Sequence, residues 1–267
     1  MSTHIKRLPL KKLFNTRDLG GFTAEGGKKI KHGKLIRSGK LDKIPPETVD
    51  ALKALGVNTV IDLRIFTEIE QSPDTLWEGV KYVHQPLLCT ATTGITRDKS
   101  MRITMVKEAR RIKSEFGTAD NYMAAMYRSI LMSEEPKRHL TAVLREIIEN
   151  DGCVLWHCSG GKDRAGIVAM LVESLLGVSE QDILADFMAS AHFQRKRFFW
   201  NRLAIHTIPA TSRFKKILLV MMEAKPRFLT DATDEIKEKY GSVVNYCKAE
   251  LGVTDQDIQK LKDKYLE

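Results

Sequence analysis

Cysteine is scarce in this chain, and what there is does not pair. The four thiols, Cys89, Cys153, Cys158 and Cys247, make no C-x-x-C pair and no zinc-ligand spacing. A reduced compartment without a disulfide framework is the plain expectation. Long apolar runs are missing too: "ILLVMM" (Ile217–Met222) is far too short to span a bilayer. The opening "MSTHIKRLPLKKLF" carries charge but no apolar core of signal-peptide length. The expected location is therefore the cytoplasm, or the exterior by a route without a cleaved signal. There is no internal repeat, low-complexity stretch or linker, so residues 1–267 are expected to form a single domain.

Hydrophobic residues at 43% and charged residues at 29% are ordinary for a globular chain. A net charge of +9 favours anionic partners: phosphorylated molecules, nucleic acid or an acidic membrane surface. Basicity alone does not make a nucleic-acid binder, and none is expected. "NTVIDLR" (Asn58–Arg64) and "CVLWH" (Cys153–His157) are β-branched or apolar runs typical of buried strands, and "VKYVHQPL" reads as another. "PPETVDALKALG", "RHLTAVLREIIEN", "RAGIVAMLVESLLG" and nearly everything after Val178 read as helix. The first forty residues read as irregular, with short strands and a hairpin at Gly26 and Gly27. Strands separated by helices predict an α/β fold, a small, mostly parallel sheet flanked by helices. Residues 192–228, basic and aromatic with two helical halves about Pro209, are a candidate insertion.

The chemistry concentrates in "HCSGGKDRAG", where an apolar run ends in a thiol, two glycines and three charges. A loop between a central parallel strand and the next helix lies at the carboxyl edge of the sheet, where open α/β folds bind ligands. Its unpaired amides and the positive helix end form a nest for a tetrahedral oxyanion. Gly160 and Gly161 let the backbone curl, and Arg164 adds a planar fork of donors. In that field the Cys158 thiol ionises readily and becomes a nucleophile aimed at phosphorus. The spacing discriminates: six residues after Cys89, Cys153 and Cys247 stand Ile95, Ser159 and Val253, not arginine. A nucleotide-binding Walker loop is excluded, because Asp163 stands where it needs Ser or Thr.

This loop resembles the HC-x-x-G-K-D-R signature of a bacterial and fungal group of cysteine-dependent tyrosine and dual-specificity phosphatases. "NTRDLGGF", "GKLIRSGKLDKI", "LGVNTVIDLR" and "NYMAAMYRSIL" are similar to that group's upstream segments, in order, and "IKEKYGSVVNYCKAELGVTDQDIQKLKDKYL" to its last helices. The resemblance implies the cysteine-phosphatase fold and hydrolysis of phosphotyrosine, sometimes phosphoserine or phosphothreonine, and often phosphoinositides. It implies inorganic phosphate as product, no cofactor and no metal. Residues 192–228 would then be a helical lid or a membrane-facing pair making peripheral contact, or simply a solvated helix pair.

Roles follow residue by residue. Cys158 is the candidate nucleophile and Arg164 the phosphate clamp, with Ser159, Gly160, Gly161, Lys162, Asp163 and Arg164 supplying amides. Asp163 is either the general acid or a charge partner of the helix start; Asp62 and Asp120 are alternative acids. The acid loop of the wider superfamily is not visible, since Leu87–Thr96 holds no carboxylate. Lys162 either attracts a second phosphate, which in this group goes with lipid substrates, or is solvated. His157 is expected to hydrogen-bond the loop backbone and has no partners at metal-ligand spacing. Arg17 and Asp18 either buttress the loop or form a plain turn. Arg64 and Glu68 are expected to pair, beside the site or on the surface. Cys153 is expected in the core, with a disulfide to Cys158 as the alternative. Rival readings are a phosphoinositide or inositol phosphate phosphatase, a silent phospho-ligand binder, and a thiol-redox protein.

Overall fold

The computed structural model describes residues 5–87, 110–207 and 211–267. In chain order its elements begin with β1 (Arg17–Asp18), β2 (Leu35–Ser38), α1 (Pro46–Ala54), β3 (Val57–Asp62), α2 (Phe66–Gln71) and β4 (Lys81–His84). They continue with α3 (Ala119–Met132), α4 (Glu134–Glu149), β5 (Cys153–His157), α5 (Asp163–Leu176) and α6 (Glu180–Phe193). Then come α7 (Arg195–Thr207), α8 (Ser212–Met222), α9 (Pro226–Tyr240), α10 (Val243–Leu251) and α11 (Asp255–Tyr265). Proline opens α1, where its missing N–H is an orphan anyway, and Gly56 follows the helix at φ +75°. Ser179 caps α6 by accepting from the amide of Asp182, as the S-x-x-D spacing predicts. Pro209 and residues 88–109, with Cys89 and all of the Leu87–Thr96 stretch but Leu87, lie outside the described residues.

The described strands form a five-stranded sheet in the order β1-β2-β5-β3-β4. β5 lies between β2 and β3, parallel to both, while β1 is antiparallel to β2 at one edge. A strand paired on both sides and covered on both faces should be apolar throughout, and all five residues of β5 are buried. Its alternation still sorts the side chains. Val154, Trp156 and Cys158 face the larger core beneath α3, α4 and α5, whereas Cys153 and Leu155 join a smaller one with Ile36, Leu52 and Val60. Cys153 and Cys158 therefore lie on opposite faces, which rules out a disulfide between them. Burial, first, pushes the Cys153 thiol up to about 12, as befits an inert core residue.

α5 is buried everywhere except at Asp163 and Ser174, with α6, α10 and α11 packed around it. Buried on all sides, it is the axis between the sheet and the outer helices. It ends at Gly177, whose φ of +81° is a left-handed cap. Because β2, β3 and β5 run parallel in register, Ser38, His157 and Asp62 stand side by side at one sheet edge. The segments leaving those strands thus converge on one place. No described helix is long and apolar enough to cross a membrane.

Trp156 ties that edge to α5: fully buried, it donates its indole N–H to the carbonyl of Ala165 at 3.0 Å. Trp156→Phe is expected to cost about 1–3 kcal/mol from the lost hydrogen bond and volume. Urea unfolding checks this, and an unchanged midpoint would contradict it.

Candidate active site

The loop from Cys158 to Lys162 joins β5 to α5, and its shape is enforced from behind. Gly161 has φ +65°, and a Cβ there would stand 2.5 Å from the carbonyl carbon and oxygen of Ser38. Only glycine meets both conditions. Asn15 donates its side-chain amide to the carbonyls of Gly160 (3.2 Å) and Gly161 (2.8 Å). Arg37 donates to the carbonyls of Gly161 and Lys162, both at 3.0 Å. In a trans peptide the N–H points opposite the C=O. Pulling these three carbonyls outward turns the amides of Gly161, Lys162 and Asp163 inward, at the N-terminus of α5 and beside the 2% exposed Cys158. Amides so turned have the arrangement that an anion nest requires.

Asn15 and Arg37 are themselves held by a buried ion cluster. Arg17 donates from Nε to Oδ1 of Asp186 at 2.6 Å and from Nη1 to Oδ1 of Asn15 at 2.6 Å. Arg37 donates to Oδ2 of the same Asp186. The Asp186 carboxyl is held below its usual range: burial opposes ionisation, but the two guanidinium groups outweigh it. Glu173, fully buried nearby with neither oxygen hydrogen-bonded among the described residues, is pushed well above the carboxylate range by burial and then by Asp186. Two arginines and the Asp186 carboxylate form a buried ion cluster directly behind the loop. Arg17 thus buttresses the site, whereas Asp18 serves the neighbouring turn, accepting from the amides of Gly20 (3.0 Å) and Gly33 (2.8 Å).

Glu68 clamps the other side. Arg164 donates to it from Nη1 (2.6 Å) and Nη2 (2.8 Å), Ser159 from Oγ (2.5 Å), and the Ile65 amide at 3.1 Å. Burial works against the Glu68 charge, but these donors and the Arg164 charge hold it at about 2. The expected Arg64–Glu68 pair is not formed. Arg64 is fully buried and instead grips Asp62 (2.7 Å), Asp74 (2.7 Å) and the carbonyl of Ser72 (2.8 Å), because the segment leaving β3 turns its side chain inward. Asp62, also bound by the Tyr82 hydroxyl at 2.9 Å, is sealed in this network and is no general acid.

His157 departs from expectation too. Among the described residues its ring makes no hydrogen bond to the loop backbone. Nε2 lies 3.0 Å from Asp74 Oδ2, and Nδ1 lies 3.9 Å from Asp62 Oδ1. The fold thus gathers three potential metal ligands that sequence spacing does not show. The Arg64 guanidinium already lies against both carboxylates and supplies the cation there.

Lys162 is only 4% exposed, and its ammonium donates to the carbonyls of Met221 (2.7 Å) and Glu223 (2.6 Å). It caps the end of α8 rather than standing free for a second phosphate or for solvent. Asp163, at the first position of α5, accepts from the Tyr127 hydroxyl through Oδ1 at 2.5 Å. Asp120 lies at the start of α3, paired with Lys225 at 2.5 Å. Seven neighbours escape a reading of the sequence: Asn15, Arg37, Asp74, Tyr127, Glu173, Asp186 and Gln194. Gln194, 3% exposed, packs with Oε1 3.7 Å from where a Cβ of Gly160 would lie. The signal for Asp186 and Glu173 is a carboxylate among apolar positions, in "DILADFM" and "AMLVESLL"; the other five leave none.

Residues 8–267 match the tyrosine phosphatase family, and the chain belongs to it. It is a phosphoric monoester hydrolase of the protein-tyrosine-phosphatase kind. A Cupriavidus necator protein, assigned provisionally by name to the tyrosine-protein phosphatases, is 28% identical over 94% of this chain and 85% of its own. A Nostoc commune tyrosine-protein phosphatase is 31% identical over 59% of this chain and 48% of its own. The triple specificity protein phosphatase of Mycobacterium tuberculosis is 24% identical over 93% and 95%.

Two outcomes are expected from the supports. Asp186→Ala leaves two guanidinium groups buried without their anion and should cost about 3–5 kcal/mol, read from the urea midpoint; a loss under about 1 kcal/mol would contradict the cluster's role. Glu68 falls from an ordinary 4.5 to about 2, so its stabilisation is complete above pH 4.5 and is lost as pH falls towards 2. The midpoint difference between the wild type and Glu68→Gln should be flat above pH 4.5 and shrink in acid. A difference that widens in acid would contradict the clamp.

Proposed function

We propose that this tyrosine phosphatase family member hydrolyses phosphotyrosine in proteins or peptides by a two-step transfer through Cys158. The observation that carries the reading is the set of outward-pulled carbonyls at Gly160, Gly161 and Lys162, which leaves inward amides between Cys158 and Arg164. A phosphoryl group seated there receives the loop amides on its oxygens. Arg164, its plane fixed by Glu68, stabilises the equatorial charge of the transition state. The Cys158 thiolate attacks phosphorus in line while Asp163 protonates the departing oxygen. Water then attacks the phosphocysteine, Asp163 takes its proton, the S–P bond breaks and inorganic phosphate leaves. Positioning and preorganised charge supply most of the rate.

A second reading, a phosphoinositide headgroup met at a membrane surface, is favoured by one face of α7. Phe199 (63% exposed), Trp200 (66%) and Leu203 (52%) stand out beside exposed Arg195 and Arg202. Apolar and cationic side chains on one helix suit an anionic interface. With Lys162 anchoring the end of α8 to the loop, α7 and α8 (within 192–228) would act as the lid of the site.

The test is phosphate release from a phosphotyrosine peptide, a phosphoserine peptide and phosphoinositide vesicles, in chelator, with wild type and Cys158→Ser. Peptide turnover should fall by roughly a thousandfold or more in the variant. Acid-quenched wild type should carry a phosphoryl group on the Cys158 peptide by mass spectrometry. Vesicle turnover above peptide turnover would select the second reading. Full activity in Cys158→Ser would overturn both.

A further inference from the structure

Tyr127 is held more firmly than packing alone requires. Its ring is fully buried, edge-on to Phe187 of α6 with centroids 5.9 Å apart, and 6.2 Å from Phe228 of α9. Three helices therefore fix the ring, and its hydroxyl donates to Oδ1 of Asp163 at 2.5 Å. The Lys162 ammonium lies 3.4 Å from that same oxygen. Among the described residues no hydrogen bond or ion pair engages Oδ2.

A carboxylic acid carries its proton on one oxygen while the other accepts. With Oδ1 committed as acceptor to a fixed phenol, the proton belongs on Oδ2. We propose that Tyr127 is the positioning residue of the general acid, reserving Oδ1 of Asp163 so that the transferable proton is presented on Oδ2. This inference rests on the reading of Asp163 as that acid. In the first step the Oδ2–H bond breaks and its proton goes to the leaving oxygen as the S–P bond forms and the P–O bond breaks. The resulting carboxylate keeps the Tyr127 hydrogen bond, now charge-assisted, and stays in place to take a proton from the attacking water. Burial, and then the Asp163 charge, raise the phenol far above its ordinary range, so Tyr127 remains a donor throughout.

The deciding measurement is kcat/KM for aryl phosphates of graded leaving-group basicity, because it reports the step in which the leaving oxygen departs. Wild type, Asp163→Asn and Tyr127→Phe are compared. Phenylalanine keeps the ring contacts, and alkylation of Cys158 by iodoacetate verifies an intact loop. General acids contribute about 10²–10⁴-fold, felt most by poor leaving groups. Asp163→Asn should therefore steepen the dependence on leaving-group basicity strongly. Tyr127→Phe should steepen it partly, losing about tenfold on phenyl phosphate but no more than about twofold on a nitrophenyl phosphate. A wild-type slope in Tyr127→Phe, or a uniform loss across the series, overturns the positioning role while leaving Asp163 as the acid. An unaltered slope in Asp163→Asn overturns the acid assignment and this inference with it.

Discussion

The outward pull on three backbone carbonyls is the interaction on which the rest of the site depends. Left alone, a Gly-rich turn has no reason to aim its amides at a common point, because glycine permits many conformations and prefers none. Asn15 and Arg37 choose one by hydrogen-bonding the carbonyls of Gly160, Gly161 and Lys162. The choice requires glycine at position 161 and the burial of several charges. It is stabilised by Asp186, which joins Arg17 and Arg37 in one network. Such a network is poor evidence for net stability, since desolvation offsets much of its attraction. Its value is specificity of position: a loop that is already shaped for an anion need not reorganise when the charge develops.

The surroundings divide the labour between two sides. On the β1–β2 side, Arg17 and Arg37 face backbone oxygens and share the Asp186 carboxylate. On the β3 side, Glu68 and the Asp62–Arg64–Asp74 network fix Arg164 and crowd His157. α8 closes a third side through the Lys162 ammonium. Elements far apart in sequence thus meet on six residues, and parallel strands ending at one edge make this meeting compact.

Much of this was legible in the amino-acid order. "CVLWH" and "RAGIVAMLVESLLG" announce a buried strand and a helix buried on all sides, and the dense chemistry between them marks the site. For Arg17 the sequence leaves two readings open, a buttress of the loop or a plain turn, and the fold selects the first. What stayed hidden is pairing across the chain. Glu68 sits four residues from Arg64, which makes a helical pair look natural, yet Arg64 turns inward just after β3 and Glu68 reaches Arg164. Lys162 reads in sequence as a contact for a second phosphate or a solvated lysine, because nothing there says that the end of α8 will arrive above it. Tyr127, thirty-six residues from Asp163, reads only as an apolar-face aromatic. A carboxylate among apolar positions, as at Asp186 and Glu173, is the one local sign of a buried network.

The account stands on the inward amides, and an anion bound in the structure tests them most directly. Crystals grown with tungstate, a tetrahedral mimic of the transferred group, should show its oxygens on the amides of Gly161, Lys162 and Asp163 and on the Arg164 guanidinium. Sγ of Cys158 should face the metal atom, and the carbonyls of residues 160–162 should remain on Asn15 and Arg37. An anion held elsewhere, or a loop whose carbonyls point at it, would contradict the account.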